Sequence, residues 1–409
     1  MTLLGLARRS LWNRRLTSML VVVAIALSVT LLLGVERLRS EARTSFANTL
    51  SGTDLIVGAR SGPINLLLYS VFRLGDATGG MSWRSHEAIR QLPAVAWAVP
   101  IALGDSHRGF AVVGTEPHYF DHYRHGQRQP LVFTEGRPFS APLEAVVGAA
   151  VARQLGYRLG QSLVLAHGTG DVSFVHHDAL PFTVVGVLAA TGTPVDHSIH
   201  VPLAGLEAVH RPGATTTNLD QYDLTPRTIS ATLLGLHQRG ATFAVQRQIN
   251  DWRSEPLQAI LPGLTLQQLW DLMAVGERAL LLISALVAVV GITVLLVALI
   301  ASLNERRREI AILRAVGAGP RHIVALVLGE ALLLVLVGIS AGLILLQGGL
   351  TLAAPLVEGQ LGLALRGWPP SLHELYLLLA IIGAALIAGL LPAWRAYRYA
   401  VADGLTQRI

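Results

Sequence analysis

The stretch ERRREIAILRAVGAGPRHIVALVLGEALLLVLVGISAGL, residues 305–343, joins a short arginine-rich segment to a long apolar one. Residues 304–322 contain five arginines and two glutamates. Residues 323–350 are predominantly apolar and long enough to cross the hydrocarbon core of a bilayer. Because basic residues concentrate in the short cytoplasmic loops of membrane proteins, we place the arginine-rich segment in the cytoplasm. The stretch therefore predicts a membrane protein with a small charged loop on its inner side.

Three further apolar segments predict three more spans, and four spans leave both termini in the cytoplasm. The second span continues without a helix breaker from an amphipathic stretch, so we expect one long helix that projects from the membrane as a stalk. A cleaved signal peptide is the alternative for the first span, but no A-x-A-like site follows it. The predicted segments are an interfacial helix at 1–16, the first span at 17–36, an external domain at 37–264, the stalk and second span at 265–303, a cytoplasmic coupling segment at 304–322, the third span at 323–350, an outer loop at 351–374, the fourth span at 375–392 and a cytoplasmic tail at 393–409.

The composition supports this reading and excludes several classes of protein. Hydrophobic residues make up 52% of the chain and charged residues only 14%, whereas a soluble domain is about one quarter charged. All 32 basic residues are arginine, so the chain lacks the lysine that a Walker A loop and lysine-based covalent catalysis require. It also has no cysteine, which excludes disulfides and thiolate metal sites. The arginines cluster beside apolar segments, so topology explains the basic charge better than a nucleic-acid partner does.

The external domain has the pattern of a mixed α+β fold. Runs such as GFAVVGT (109–115), EAVVG (144–148) and PFTVVGVLA (181–189) are rich in β-branched residues and bounded by turn residues. Helical stretches lie between them, for example SWRSHEAIRQL (82–92). The predicted fold class is therefore a membrane α-helical protein with four transmembrane helices, plus a large extracytoplasmic α+β domain inserted between the first and second spans.

The predicted cytoplasmic segments are too short for a catalytic domain, since none exceeds about twenty residues. No recognisable catalytic motif is present either. We therefore expect that the chain is not an enzyme, that it binds no cofactor of its own, and that it depends on a cytosolic partner for energy or for signalling.

Residues 305–343 strongly resemble the C-terminal signature of the FtsX/MacB/LolC-type permeases of ABC transporters. In that family a charged run leads into an I-x-x-L-R-A-x-G-A motif and then into a span with an early glutamate and later glycines. Here Glu305–Glu309, Ile310–Ala318, Glu330, and then Gly338 and Gly342 match this order. The tail PAWRAYRYAVADGL is similar to the family's ending, although Val401 stands where proline is common. In the external domain, TEGRPF and FTVVGVLAATGTP fall in the order expected for a MacB-like domain.

The resemblance implies a permease subunit in the bacterial inner membrane that exports or extracts a lipoprotein, lipid, peptide or small molecule. Its implied partners are two copies of a cytosolic ABC ATPase that holds ATP and Mg²⁺, a second permease copy in a dimer, membrane lipid, and a periplasmic or outer-membrane protein. ATP-driven motion would reach the external domain through the stalks. The alternatives are an envelope sensor or scaffold, or a metal-linked periplasmic protein, without transport of its own. The residues expected to couple to the ATPase are Arg306, Arg307, Arg308, Glu309, Arg314 and Gly317.

Two further features leave alternatives open. Glu330 lies about two turns into the third span, where an ionisable group suggests a function; alternatively it pairs near the cytoplasmic interface. Twelve of the fourteen histidines fall in the external domain. They match no tight metal motif, so we assign no metal site, and clusters of surface histidines are the simpler explanation. The weak candidates for metal ligands are His176, His177, Asp178, His197 and His200.

Overall fold

A computed structural model describes residues 14–49, 51–75, 79–167, 180–305, 310–312, 316–361 and 371–398. The chain divides into two compact units. The first, the helical bundle, comprises residues 1–40, 274–355 and 365–409, and the second, the external domain, comprises residues 41–273 and 356–364.

Four helices are long and apolar enough to cross a membrane. They confirm the predicted fold class, because a mixed domain lies between the first and the second of them. Each helix extends beyond its predicted span. In chain order they are α1 (Arg15–Thr49), α8 (Pro262–Glu305), α9 (Pro320–Leu361) and α10 (Leu372–Arg398).

The core of the bundle forms where small residues let helices approach closely. At Gly338, an added Cβ would lie 2.7 Å from Cγ2 of Ile25, and at Gly342 it would lie 2.8 Å from the carbonyl oxygen of Ala26. The Thr30 hydroxyl donates a hydrogen bond to the Gly342 carbonyl oxygen over 3.0 Å. The G-x-x-x-G pattern of α9 is therefore the surface on which α1 packs, as such patterns allow.

The external domain is built on two main sheets. One is a four-stranded antiparallel sheet in the order β16-β1-β15-β3. The other is an eight-stranded mixed sheet in the order β10-β12-β9-β13-β5-β4-β11, with β8 also paired to β12. Its parallel pairs are β12 with β9 and β13 with β5. The strands are β1 (Leu55–Ala59), β2 (Met81–Ser82), β3 (Val95–Ile101), β4 (Asp105–His107), β5 (Phe110–Thr115), β6 (Arg124–His125), β7 (Gln129–Pro130), β8 (Phe133–Gly136), β9 (Glu144–Val147), β10 (Ser162–Leu163), β11 (Ala166–His167), β12 (Phe182–Leu188), β13 (Ser198–Pro202), β14 (Thr228–Ile229), β15 (Ala231–Leu236) and β16 (Leu257–Ile260).

Short helices cover the sheets. A π-helical turn, Leu68–Phe72, follows α2 directly, and 3₁₀ turns occupy Pro194–His197, Leu219–Gln221 and Arg239–Ala241. Helix α3 begins at a serine cap, because Oγ of Ser82 accepts a hydrogen bond from the Ser85 amide. The helices are α2 (Pro63–Leu67), α3 (Trp83–Arg90), α4 (His118–His122), α5 (Ala149–Leu155), α6 (Leu203–Val209) and α7 (Thr242–Asn250).

Residue alternation along the strands places one apolar core between the two sheets. In β1, Leu55 and Val57 face the core that α3 and α7 cover, whereas Ile56 faces the shared core. In β9, Val146 faces the shared core and Val147 faces the core beneath α5. The central strands are therefore apolar on both faces, and the two sheets fold as one body around their common core.

Candidate functional site

The loop between α8 and α9 carries the residues expected to couple to an ATPase. Of these, Gly317 is described, whereas Arg306, Arg307, Arg308, Glu309 and Arg314 lie outside the described residues. Gly317 has a φ of +100°, a conformation that glycine adopts without strain. The chain then enters α9 at Pro320, a residue well suited to the first turn of a helix.

A small apolar cluster fixes this loop to the bundle. Ile310 is 4% exposed, and it packs with Leu303 at the end of α8, Ile323 and Val327 at the start of α9, and Ala393 of α10. The loop is thus anchored to three helices at one end of the bundle, which we call the loop end. Val316, by contrast, is 84% exposed.

A polar pair at the loop end joins the residue before α1 to the last residue of α8. The guanidinium of Arg14 lies 2.5 Å from the carboxylate of Glu305. Both residues line a cavity of about 50 Å³ together with Glu330, which is 3% exposed. Glu330 is therefore a buried acidic group that lines the same small cavity as an arginine and a second carboxylate.

The opposite end of the bundle carries a charged cluster that we did not predict from the sequence. Nε of Arg37 donates to Oε1 of Glu374 over 3.0 Å, and Nη2 donates to Oε2 over 2.8 Å. Both side chains are less than one tenth exposed. This bidentate pair joins α1 to α10. Glu374 also caps α10, since its amide donates to the Ser371 hydroxyl and its carboxylate accepts from the Ser371 amide.

Further charged side chains surround this pair. Arg39 donates two hydrogen bonds to Glu36, over 3.1 and 2.8 Å, and lies 3.9 Å from Glu277 of α8. His373 lies 3.8 Å from the Glu36 carboxylate. Two features of the sequence could have indicated this cluster: the arginines next to the first span on its predicted outer side, and the Ser-x-x-Glu capping box at the start of α10.

Aromatic contacts hold the end of α1 and the beginning of α8 within the external domain. The ring of Phe46 lies 4.2 Å from that of Phe72 and 5.4 Å from that of Trp270. The guanidinium of Arg43 lies 5.5 Å from the Trp270 ring, within cation–π range. The Tyr123 hydroxyl donates to the carbonyl oxygen of Thr49 over 2.5 Å. Both chain entries into the domain are therefore fixed to one another and to its core.

Two of the candidate metal ligands, His197 and His200, lie against aromatic rings. His200 is fully buried, with ring centroids 5.0 Å from Tyr119 and 5.9 Å from Phe120. Burial, with the nearby Arg73 charge, lowers the pKa of His200 to about 3. His197 stacks on Phe110 at 6.2 Å. His176, His177 and Asp178 lie outside the described residues, and among the residues described no group of three or more acidic or histidine side chains is arranged to hold a metal ion.

Two protein-family models match the chain. Residues 16–251 match the model of the MacB-like periplasmic core domain, and residues 281–401 match that of the FtsX-like permease C-terminal region. The matches cover both the external domain and the last three long helices. Among proteins of curated function, none matches the chain.

Two solved structures are similar to the external part of the chain. The periplasmic region of MacB from Actinobacillus actinomycetemcomitans is 9% identical and has a TM-score of 0.36; the match covers 55% of this chain and 95% of that one. The extracellular domain of the noncanonic ABC-type transporter YknZ from Gram-positive bacteria is 15% identical and has a TM-score of 0.31; the match covers 51% of this chain and 99% of that one.

Proposed function

The chain belongs to the FtsX-like permeases of ABC transporters that carry a MacB-like periplasmic core domain, and from this premise we propose that it transmits ATP-driven motion from a separate ATPase to its external domain. Permeases of this family work with cytosolic ABC ATPases, often as dimers. In the proposed mechanism the protein lies in the bacterial inner membrane with both termini in the cytoplasm. It holds no nucleotide itself, and ATP and Mg²⁺ stay on two ATPase copies.

The observation that carries this proposal is the anchoring of the loop between α8 and α9. Because Ile310 packs against Leu303, Ile323 and Ala393, a force applied to the loop acts on three helices together. In this proposal the neighbouring Arg306, Arg307, Arg308, Glu309 and Arg314 supply the charges for an ATPase groove, and the φ of +100° at Gly317 suits a turn before α9. Anchoring of these arginines to lipid headgroups is compatible with this role.

The other end of the proposed pathway lies in the external domain. There α1 and α8 meet through Phe46 and Trp270 at 5.4 Å, and Tyr123 bonds the last turn of α1. Movement of either helix would therefore act on the shared core. A second permease copy is also proposed, because permeases of this family often work as dimers. The work done on a substrate, such as export or extraction of a lipoprotein, lipid or peptide, would take place at the external domain or a periplasmic partner.

The test combines purification with an assay of ATP hydrolysis. The protein is purified from its native membrane in mild detergent, and we expect an ABC ATPase to copurify. The triple variant Arg306→Ala, Arg307→Ala, Arg308→Ala should lose most of the copurified ATPase and its stimulated hydrolysis. The matched control replaces three exposed arginines of the external domain, Arg239, Arg247 and Arg253, by alanine.

The two outcomes separate the proposal from its rival. If no ATPase copurifies and a kinase or other effector does, the protein is a sensor or scaffold. If an ATPase copurifies equally well with the triple variant, and its hydrolysis is unchanged, the coupling role of these arginines is wrong.

A further inference from the structure

Two histidines on one face of α4 lie side by side at the surface of the external domain. His118 and His122 are the first and last residues of this helix, and residues four apart in a helix are neighbours on the same face. Their ring centroids are 6.4 Å apart, with an angle of 48° between the ring planes. His118 is exposed and His122 is partly buried. The other face of the helix carries Tyr119 and Phe120, which are buried in the shared core.

A tryptophan holds one of the two rings in place. The indole ring of Trp97 in β3 lies parallel to the His122 ring, with centroids 4.9 Å apart and an interplanar angle of 9°. Trp97 in turn lies over Gly235, its partner in β15, where an added Cβ would overlap the indole. Because only a glycine leaves room for the indole at this position, the sequence of β15 helps to set the position of His122.

The two imidazoles are available to a ligand. Among the residues that the structure describes, neither His118 nor His122 has a hydrogen-bond partner. Burial lowers the pKa of His122, and the nearby Asp121 charge only partly opposes this effect. The charges of His118 and Arg124 lower the pKa of His122 further. The His122 ring is therefore neutral at neutral pH, and the neutral imidazole is the form that binds metal ions.

The spacing of the two rings suits a transition-metal ion. With metal–nitrogen distances of about 2.0–2.1 Å, two imidazole rings in a tetrahedral site have centroids about 5 Å apart. The His118 ring therefore has to move toward His122 by about 1–2 Å, a rotation that exposed side chains make readily. The described part of the chain offers no group of three histidine or acidic side chains for a metal ion. Water would therefore fill the remaining positions around the ion.

We propose that His118 and His122 together bind one divalent transition-metal ion, such as Zn²⁺ or Cu²⁺, through two imidazole nitrogens. Imidazole suits zinc, copper and nickel, whereas Mg²⁺ prefers oxygen ligands. The pair binds more tightly than a single surface histidine because the second imidazole is already held beside the first. This inference goes beyond the proposed coupling function and does not rest on it, since every residue involved belongs to the external domain.

The test is calorimetric titration of the full-length protein, purified without a polyhistidine tag and kept in a non-ionic detergent at pH 7.5. The probes are Zn²⁺ and Cu²⁺, with Mg²⁺ as the control ion. We expect the tightest site to bind one Zn²⁺ or one Cu²⁺ per chain, with Cu²⁺ bound more tightly, and we expect no measurable binding of Mg²⁺. Electron paramagnetic resonance of the Cu²⁺ complex should show coupling to two imidazole nitrogens.

Variants then show which of the fourteen histidines bind the ion. His118→Gln removes one ligand, and His122→Phe removes the other while keeping a ring against Trp97. Each single variant should weaken binding at the tightest site at least about tenfold, because one imidazole remains in place of two. The double variant should be weaker than either single variant by less than about twofold, since one change already destroys the pair. The control His237→Gln changes an exposed histidine outside the pair and should bind as the unmodified protein does.

Three results would overturn the proposal. The first is absence of saturable Zn²⁺ and Cu²⁺ binding up to about 1 mM, a concentration at which weak specific sites fill. The second is unchanged affinity in His118→Gln, which tests the pair even if His122→Phe fails to fold. The third is a double variant whose loss equals the sum of the two single losses, as expected for two independent histidines. None of these depends on an ATPase, so failure here is distinct from failure of the coupling proposal.

Discussion

His200 lies in the interior of the external domain, where its ring packs beside those of Tyr119 and Phe120. Burial and the nearby Arg73 charge lower its pKa from 6.5 to about 3. In the folded domain the ring thus stays neutral at pH values where the unfolded chain takes up a proton. The unfolded state binds more protons between pH 6.5 and 3, so acidification destabilises the fold across that window.

We therefore expect His200→Phe to reduce the acid sensitivity of the external domain. As the pH falls from 6.5 to about 4, the unmodified histidine lowers the free energy of unfolding by up to about 1.4 kcal/mol per pH unit. Phenylalanine removes this contribution while keeping an aromatic ring in the core. Melting of the full-length protein, followed by near-ultraviolet circular dichroism at pH 8 and pH 5, measures the difference. The exposed His118→Phe variant should keep the original pH dependence; an unchanged difference in His200→Phe would contradict the expectation.

The Arg37–Glu374 pair gives a second prediction at the residue scale. Removing one member of a buried pair leaves the other charge without compensation, which costs about 3–5 kcal/mol. Arg37→Met should therefore lower the melting temperature strongly, whereas Arg37→Met with Glu374→Leu should recover part of the loss. The comparison is the longer Arg39–Glu277 contact at 3.9 Å, whose side chains are 27% and 16% exposed and whose coupling energy should be below about 1 kcal/mol. Equal coupling energies at the two sites would show that burial is not the decisive property.

At the scale of elements, the contact between α1 and α9 depends on the absence of side chains. A Cβ at Gly342 would lie 2.8 Å from the backbone oxygen of Ala26, whereas a Cβ at Gly348 meets nothing within 4 Å. The same glycine-to-alanine change is therefore expected to lower the stability of the bundle at Gly342 but not at Gly348, six residues further along the helix.

Gly342→Ala should destabilise the bundle because α1 must move away from α9. Gly348→Ala should leave it unchanged or stabilise it by up to about 1 kcal/mol, the difference between glycine and alanine in a helix interior. Thermal denaturation of the detergent-solubilised protein, followed by retention of a monodisperse peak in size-exclusion chromatography, compares the two. Similar melting temperatures for both variants would rule out close packing at Gly342.

The sequence was sufficient to predict the long helices and several strands, but not which strands pair with one another. Hydropathy located all four long helices, and alternation located strands such as β5, β9 and β12 within a residue or two. The partners of those strands were not predictable, because each central strand is apolar on both faces and offers no register signal. The Arg37–Glu374 contact joins residues far apart in the chain, and local patterns do not encode such distances.

At the scale of the whole molecule, the last turns of α1 and the first turns of α8 belong to the external domain and contact its core through aromatic side chains. Phe46 contacts Phe72 and Trp270, and Phe72 and Phe46 adjoin the core that the two sheets share. If ATP-driven motion passes through these aromatic contacts, weakening the contacts should leave ATP hydrolysis intact but abolish the response of the external domain.

We expect the double variant Phe46→Ala, Trp270→Ala to retain hydrolysis by the partner ATPase within about twofold, since that step needs only the loop at the other end. Hydrogen exchange measured with and without ATP should change in the external domain of the unmodified complex and not in that of the variant. Phe243→Ala removes an aromatic ring that is 70% exposed and serves as the control. An ATP-dependent change that persists in the double variant would exclude this route.

The position of β1 in the smaller sheet also constrains when the domain can fold. β1 is the first strand of the chain, yet its neighbours are β15 and β16, which are synthesised last in the domain. The sheet cannot close until nearly the whole domain has been synthesised, and pairing over such separations in sequence is slow. Strand β16 ends at Ile260, and α8 begins at Pro262. In the proposed topology, completion of the sheet and insertion of the second span would therefore be nearly simultaneous events in biogenesis, and a stalled β16 should expose an unpaired strand edge to the proteases of the cell envelope.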